Sequence, residues 1–491
     1  MAATLALALT GGNSASADPA VKPRKNHDSQ HAGGPQQASM APLLIAVQKK
    51  QQVLDKIAND ITQGLPEFDR SKIPGFTEIE VDPDHSHLRL HWKGTPPQRV
   101  LRILAHLPSG VTAEVLPSRY SKAELHAARN KLIQGGKPVT VPLSGTATPI
   151  RITGIGAAVD GSGLEIGYAE VRGARKQNAA DSADPLPRSV RQNRSDQVKA
   201  RTDRITGIHT VAAYKPLPTD PATPPSPHSQ DASPRSATTA PGPTRHNDLA
   251  PWYGGSALHN PAGGICASGF GVLDRHGNYL LTTANHCDGS DHQWWTWGEG
   301  EAGVNGHPVG KSTRASNSWD NKFTDTVGIS LHGEHAAGYL YDGTAKQIDG
   351  YAKPVVGLGH NNVGDYVCED GANGGVHCNI KITRSDYYQW LHGFLVLTDS
   401  AYATAQTADG IAGVNGDSGS PVFAGVNGYS ADEARGTLTA FDQRVSCPAT
   451  ENENTVLDGH LPGRQPQCFR GMYFVPIEFT LAVMKWRLLT G

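Results

Sequence analysis

The chain has 491 residues, 37% of them hydrophobic and 18% charged, and its 44 Lys and Arg against 46 Asp and Glu leave a formal net charge of −2. That balance excludes a global field drawing the protein onto nucleic acid or an anionic membrane, and no run of about 18 apolar residues is present to form a transmembrane helix. With 55 glycines and 34 prolines, well above the usual ~12% of a soluble protein, part of a length that allows about three domains must be connector.

The chain begins with a short apolar stretch, Ala2 to Leu9, followed by Ala15, Ser16 and Ala17, the small-x-small pattern that signal peptidase reads. Residues 1–17 are therefore expected to be a signal peptide, although no Lys or Arg precedes the apolar stretch, and 18–39 are expected to be disordered. From Pro42 to Ile61, Leu44, Val47, Leu54, Ile57 and Ile61 recur at helical spacing. Two alternating runs, Phe76 to Val81 and Leu88 to Trp92, flank Asp82, Pro83 and Asp84 and read as a hairpin. A second helix is expected over Pro97 to Leu107. A third opens on the capping box Ser121/Glu124 and runs through Leu132. Strands Ile150 to Ile155 and Leu164 to Val171 follow, so residues 40–175 read as a small α+β domain without a catalytic cluster.

Residues 176–250 lose this periodicity. Arg188, Arg191, Arg194, Lys199, Arg201 and Arg204 come first and a proline-rich stretch follows, which predicts an extended linker open to proteolysis. After Pro251, short apolar runs are broken by Gly, Asn and Asp every eight to twelve residues, the pattern of an all-β barrel or sandwich over 251–491. Its last stretch, Pro476 to Leu489, places Ile477, Leu481, Met484 and Leu488 on one helical face. Trp294, Trp295 and Trp297 read as packing of the β segment, not as an aromatic cage.

All six cysteines, Cys266, Cys287, Cys368, Cys378, Cys447 and Cys468, lie in this β segment. An even number confined there suggests disulfides and an oxidising, extracellular setting, with about 15 connectivities open. No CxxC or HExxH is present, so no zinc site is expected, and nothing in the sequence calls for a cofactor.

The chemistry concentrates in three places. In GVNGDSGSPVF, glycines on both sides of Ser418 permit the tight turn that presents a nucleophilic hydroxyl, with the backbone N–H groups of Gly416 and Ser418 placed to hold an oxyanion. In TTANHC, a strand delivers His286, a candidate general base, beside Cys287. In TDTVGISL, Asp325 precedes Val327, Ile329 and Leu331 at strand alternation and can orient the imidazole; Asp320, without that alternation, is its rival.

Taken together, TTANHC, the Asp325 strand and GDSGSP, in the order His286, Asp325, Ser418, resemble the chymotrypsin-like (trypsin-fold) serine peptidases of the secreted bacterial type, over about half the chain. The resemblance implies two six-stranded antiparallel barrels with the triad in the crevice, a C-terminal helix, protein or peptide substrates, and a Cys266–Cys287 bridge; Cys368–Cys378 and Cys447–Cys468 pair by proximity alone. It also implies a substrate pocket at Ala412 with Thr437, Leu438 and Thr439. An uncharged Ala412 points to a small or apolar P1 residue, with Asp442 able to bring a charge from the side. Asn285 before the histidine, Ser420 after the nucleophile turn and Val414 in place of a pocket cysteine depart from the pattern. The 40–175 region resembles the pro-regions that accompany such enzymes, which makes it a partner of the catalytic segment; a retained targeting or substrate-binding domain is the alternative. The rival for the whole chain is a non-catalytic extracellular binding protein of the same fold.

Overall fold

The computed structural model describes residues 16–17, 35–134, 137–138, 140–141, 150–170, 188–215, 244–259, 264–288, 292–297, 306–312, 324–345, 351–391, 394–407, 410–448 and 466–491. Most of the expected signal peptide and disordered stretch, the proline-rich part of the linker and Asp320 lie outside these residues.

The N-terminal region is α+β, built around two small cores. The helix Pro35–Thr62 lays Leu54, Ile57 and Ile61 against Phe76, Ile79, Leu88 and Leu90 of a three-stranded sheet. In that sheet Phe76–Asp82 and His87–Trp92 form the expected hairpin, and Thr112–Pro117, a strand without alternating hydrophobicity, joins His87–Trp92 in parallel. Parallel neighbours need a crossover, and the helix Gln98–Ala105 supplies it. The capping box closes as the sequence indicates. Ser121 N–H donates to Glu124 at 2.9 Å, and Glu124 N–H donates to Ser121 Oγ at 3.4 Å, opening the helix Lys122–Asn130.

The second core repeats the crossover. Ile150–Ala157 and Leu164–Glu170 pair antiparallel, and Thr210–Tyr214 joins Leu164–Glu170 in parallel by way of the helix Arg188–Thr206. These last two elements lie within the span expected to be linker, which corrects that reading. The buried face of the helix is Val198, Thr202 and Thr206, with two threonine hydroxyls donating back one turn, Thr202 to Val198 O at 2.9 Å and Thr206 to Thr202 O at 2.7 Å. A core face made of self-satisfied threonines carries no hydrophobic period.

From Trp252 onward the described chain is almost entirely β. One nine-stranded sheet carries the seven strands from Ala257–His259 to Thr326–Ser330, then Arg487–Thr490 and, parallel to it, Ser16–Ala17 from the stretch expected to be a signal peptide; a fourteen-stranded sheet carries most of the rest. The larger sheet continues into the N-terminal region, because Tyr387, Tyr388 and Gln389 pair antiparallel with Gly156, Ile155 and Gly154. The C-terminal helix is present but short, Ile477–Met484. Lys485 takes a left-handed φ of 56°, and Arg487–Thr490 is a strand against Val272 and Leu273. Leu488 and Leu489 thus point into two different cores, an alternation that ends the helical pattern read across them.

Candidate active site

The strand Tyr279–Ala284, an inner strand of the smaller sheet, ends in the short helical turn Asn285–Cys287, which carries His286. Asp325 stands beside it, fully buried and at a positive φ of 47°. Asp tolerates that region better than most residues, and here three contacts over-determine it. Asn285 N–H donates to the Asp325 carbonyl at 2.9 Å, His286 N–H donates to Oδ1 at 2.9 Å, and His286 Nδ1 lies 2.8 Å from Oδ2. Each carboxylate oxygen is thereby committed to His286, one to its backbone and one to its ring. A carboxylate only accepts, so in this pair the ring donates from Nδ1, and Nε2 lies on the side of the imidazole away from Asp325.

Ser418 sits on a turn with Gly416 at φ 103° and Gly419 at φ 91°. Asp417 anchors the turn from below: its fully buried carboxylate accepts N–H groups from Asn373 at 2.7 Å, Gly374 at 3.0 Å and Val414 at 2.9 Å. Burial holds Asp417 above the usual carboxylate range against these donors and the nearby His377.

The turn is packed directly on the strand that carries His286. A Cβ on Gly419 would lie 2.6 Å from the Ala284 nitrogen and 2.7 Å from the Ala267 carbonyl, so nothing larger than glycine fits. The Ser418 carbonyl accepts Ala267 N–H at 2.8 Å. Ala267 adjoins Cys266, which is bonded to Cys287 next to His286. A disulfide and a hydrogen bond therefore link the imidazole and the serine turn within a few residues. The bridges Cys368–Cys378 and Cys447–Cys468 are also formed.

Ser420, a departure from the family pattern, donates through Oγ to Glu369 Oε1 at 2.5 Å. Burial, then the Asp417 charge, pushes Glu369 up to about 8. Glu369, His377 and Asp417 form a buried cluster with ligand-type atoms within 4.8 Å of one another. Its members are held by backbone N–H groups, the Ser420 hydroxyl and each other. No local motif marks Glu369 or His377, because their proximity to Ser418 depends on long-range strand pairing.

Of the expected pocket residues, Ala412 and Leu438 have side chains in the apolar core of the larger sheet, with Val367, Met472 and Phe474. Thr437 and Thr439 are buried in the strand Ala431–Val445. Asp442 is met by Tyr402 Oη at 3.4 Å and by Gln443 N–H at 2.8 Å. Trp294 and Trp297 are buried among core residues, as their packing role requires.

No family model and no curated protein sequence matches the chain. Among solved structures it is similar to a Nocardiopsis protease, at 18% identity and a TM-score of 0.32, covering 48% of this chain and 98% of that one. It is likewise similar to Thermobifida fusca protease A, at 20% identity and a TM-score of 0.31, covering 49% and 98%, and to a Cellulomonas bogoriensis chymotrypsin, at 19% identity and a TM-score of 0.32, covering 49% and 98%. Over about half its length the chain thus has a structural match to bacterial chymotrypsin-like serine proteases. The chemistry of the site rests on this protein's own residues.

Proposed function

We propose that the protein is a secreted serine endopeptidase made as a precursor, with Ser418 as nucleophile, His286 as general base and acid, and Asp325 as the group that orients His286. The observation that carries this reading is the two-point hold of Asp325 on the backbone and ring of His286, on a strand packed against the Ser418–Gly419 turn. His286 Nε2 takes the Ser418 proton as the hydroxyl attacks a peptide carbonyl, and Asp325 stabilises the imidazolium that results. The proton then passes to the leaving amine, and water, activated by the same imidazole, hydrolyses the acyl-enzyme.

Charge developing on the carbonyl oxygen is met by the N–H groups of Gly416 and Ser418. The N–H groups of Asp417, Gly419 and Ser420 are committed to Val414, Leu438 and Asp417 carbonyls, which leaves the alternate pair for substrate. The two sheets of residues 251–491 correspond in this reading to the two barrels, with the triad between them. The N-terminal region is a pro-region that assists folding of non-local strand pairs, a slow step in such topologies, and occupies the catalytic segment until cleavage in the proline-rich stretch. Secretion is supported by the three disulfides and the small-x-small pattern ahead of Asp18.

Ser418→Ala tests the assignment. Matured wild-type protein is expected to hydrolyse casein and to take one organophosphonate label on Ser418, and the variant to lose the label and about 10⁶-fold in kcat. Wild-type protein that matures, yet neither cleaves nor labels, is instead a binding protein of this fold.

A further inference from the structure

Arg245 lies at the junction between the connector and the β segment, in a stretch without any catalytic motif. It is 1% exposed. Its Nη1 donates to the Gly255 carbonyl at 2.9 Å and the Gly371 carbonyl at 3.0 Å and forms an ion pair with Asp370. The Arg245 carbonyl accepts Ala257 N–H at 2.8 Å. Asp248, three residues on and fully buried, accepts Tyr341 Oη at 2.7 Å and Tyr253 N–H at 3.0 Å. The segment from Thr244 is thus built into the β body, and a guanidinium enters it before the first long strand begins.

What Arg245 grips is the end of the strand Tyr366–Gly371, and that strand end supports the serine turn. Cys368 is bonded to Cys378 across the hairpin, Glu369 holds Ser420, and the Cα of Gly371 abuts the Asp417 carboxylate so closely that a side chain there would overlap it. The hairpin turn that follows supplies the Asn373 and Gly374 N–H groups that bind Asp417, and Asn373 Nδ2 donates to the Asn415 carbonyl at 2.7 Å. Burial pushes Asp370 up to about 7 even with the guanidinium beside it. Arg245 is therefore the cation that makes an acidic residue tolerable at this depth.

We propose that Arg245 is a positioning residue for the oxyanion turn: it fixes the Asp370–Gly374 hairpin end, which clamps Asp417 and so sets the Gly416 and Ser418 N–H groups. The mature enzyme accordingly keeps Arg245, with cleavage of the precursor on the N-terminal side of Thr244. This rests on the peptidase reading above.

The test uses the full precursor, matured, as wild type, Arg245→Gln and Arg245→Lys. Wild-type protein is expected to have its N-terminus at or before Thr244. In Arg245→Gln, kcat per organophosphonate-titrated site is expected to fall about 10- to 100-fold, part of the 10²–10³ lost with an oxyanion donor, while KM changes less than about 2-fold. Arg245→Lys keeps the charge and recovers part of kcat. A mature N-terminus beyond Arg245, read on wild-type protein whatever the variants do, overturns the proposal. So does an Arg245→Gln enzyme that melts at lower temperature but turns over at the wild-type rate. Wild-type protein that neither labels nor cleaves overturns the peptidase reading and this one with it, whereas an active wild type with an indifferent Arg245 overturns this one alone.

Discussion

Asp55, on the N-terminal helix, places a carboxylate oxygen 2.8 Å from Nη2 of Arg435, a guanidinium 1% exposed in the larger sheet. Glu433 at 2.9 Å and Asp365 at 3.3 Å share the same guanidinium. The helix thus completes a buried ion cluster in the segment it covers, and Gln51 beside it exchanges two hydrogen bonds with the backbone of Tyr366, at 2.7 and 3.1 Å. Removing one partner of a buried pair costs about 3 kcal/mol or more. We expect Asp55→Ala to weaken the hold of the N-terminal region about 100-fold, measured by cutting the precursor within 216–243 and titrating dissociation of the two parts.

A second attachment depends on two glycines. Tyr387 lies flat across Gly154 and Gly156, so a Cβ at either position would collide with its ring or hydroxyl, and this is where the two regions share a sheet. Gly156→Ala forces the strands apart or turns the ring, at about 1–3 kcal/mol. The same dissociation experiment is expected to show a 10- to 100-fold weaker complex, with the catalytic rate of the released part unchanged.

How legible these features are in the sequence follows from the range of the interactions behind them. The Ser121/Glu124 cap and the 76–92 hairpin are fixed by contacts within a few residues and appear as read, and so does the helix over 42–61, except that it begins at Pro35, inside the stretch expected to be disordered. His286, Asp325 and Ser418 are legible because each sits in a local motif, and the structure brings His286 and Asp325 into contact across 39 positions. Glu369, Arg245 and Asp55 have no local signature, since each acquires its partner from more than 50 positions away. The helix 188–206 is hidden by its threonine core. The end of the chain reads as helix throughout because Leu488 extends the helical spacing of Ile477, Leu481 and Met484, while the left-handed Lys485 that ends the helix has no local signature.

Acidity is expected to tighten the hold of the N-terminal region. Glu67, 6% exposed at the contact between the two regions, is pushed up to about 7 by burial and by the Glu478 charge, against Arg70 and His360. Below the ordinary carboxylate range Glu67 is protonated whether docked or released, so its contribution is complete there. As pH rises toward 7 the released form ionises before the docked form does, and docking is lost progressively. Each pH unit that separates the two ionisations is worth about tenfold in affinity, so the hold is expected to weaken roughly 30-fold or more between pH 5 and 7.5. Dissociation constants measured across that range give the slope, and Glu67→Gln is expected to flatten it.

Asp325→Asn separates orientation from charge. The amide keeps the size of the carboxylate but offers one acceptor where His286 needs two, its backbone N–H and its ring Nδ1. The ring then takes the wrong tautomer, with Nε2 protonated and unable to accept from Ser418. On the serine-peptidase template kcat falls by about 10⁴-fold. KM is expected to stay within about 2-fold, since Asp325 is buried and does not meet the substrate. Equal losses in folded fraction and rate, shown by active-site titration, would instead make Asp325 a fold residue.

Two of the disulfides form an internal control, because Cys266–Cys287 and Cys447–Cys468 both close 21 residues of sequence. Loop-closure entropy assigns each about 3 kcal/mol, so replacing either pair by serine is expected to lower stability toward denaturant by a similar amount. Their effects on catalysis differ. Cys287 follows His286 directly, and Cys266 precedes Ala267, whose N–H holds the Ser418 carbonyl. Cys447–Cys468 instead joins the end of the strand Ala431–Val445 to the strand Cys468–Pro476. The Cys266/Cys287 double variant is therefore expected to lose about 10-fold or more in kcat per titrated site where the Cys447/Cys468 variant loses none. Equal kinetic losses in the two would show that the first bridge supports only the fold and not the approach of His286 to Ser418.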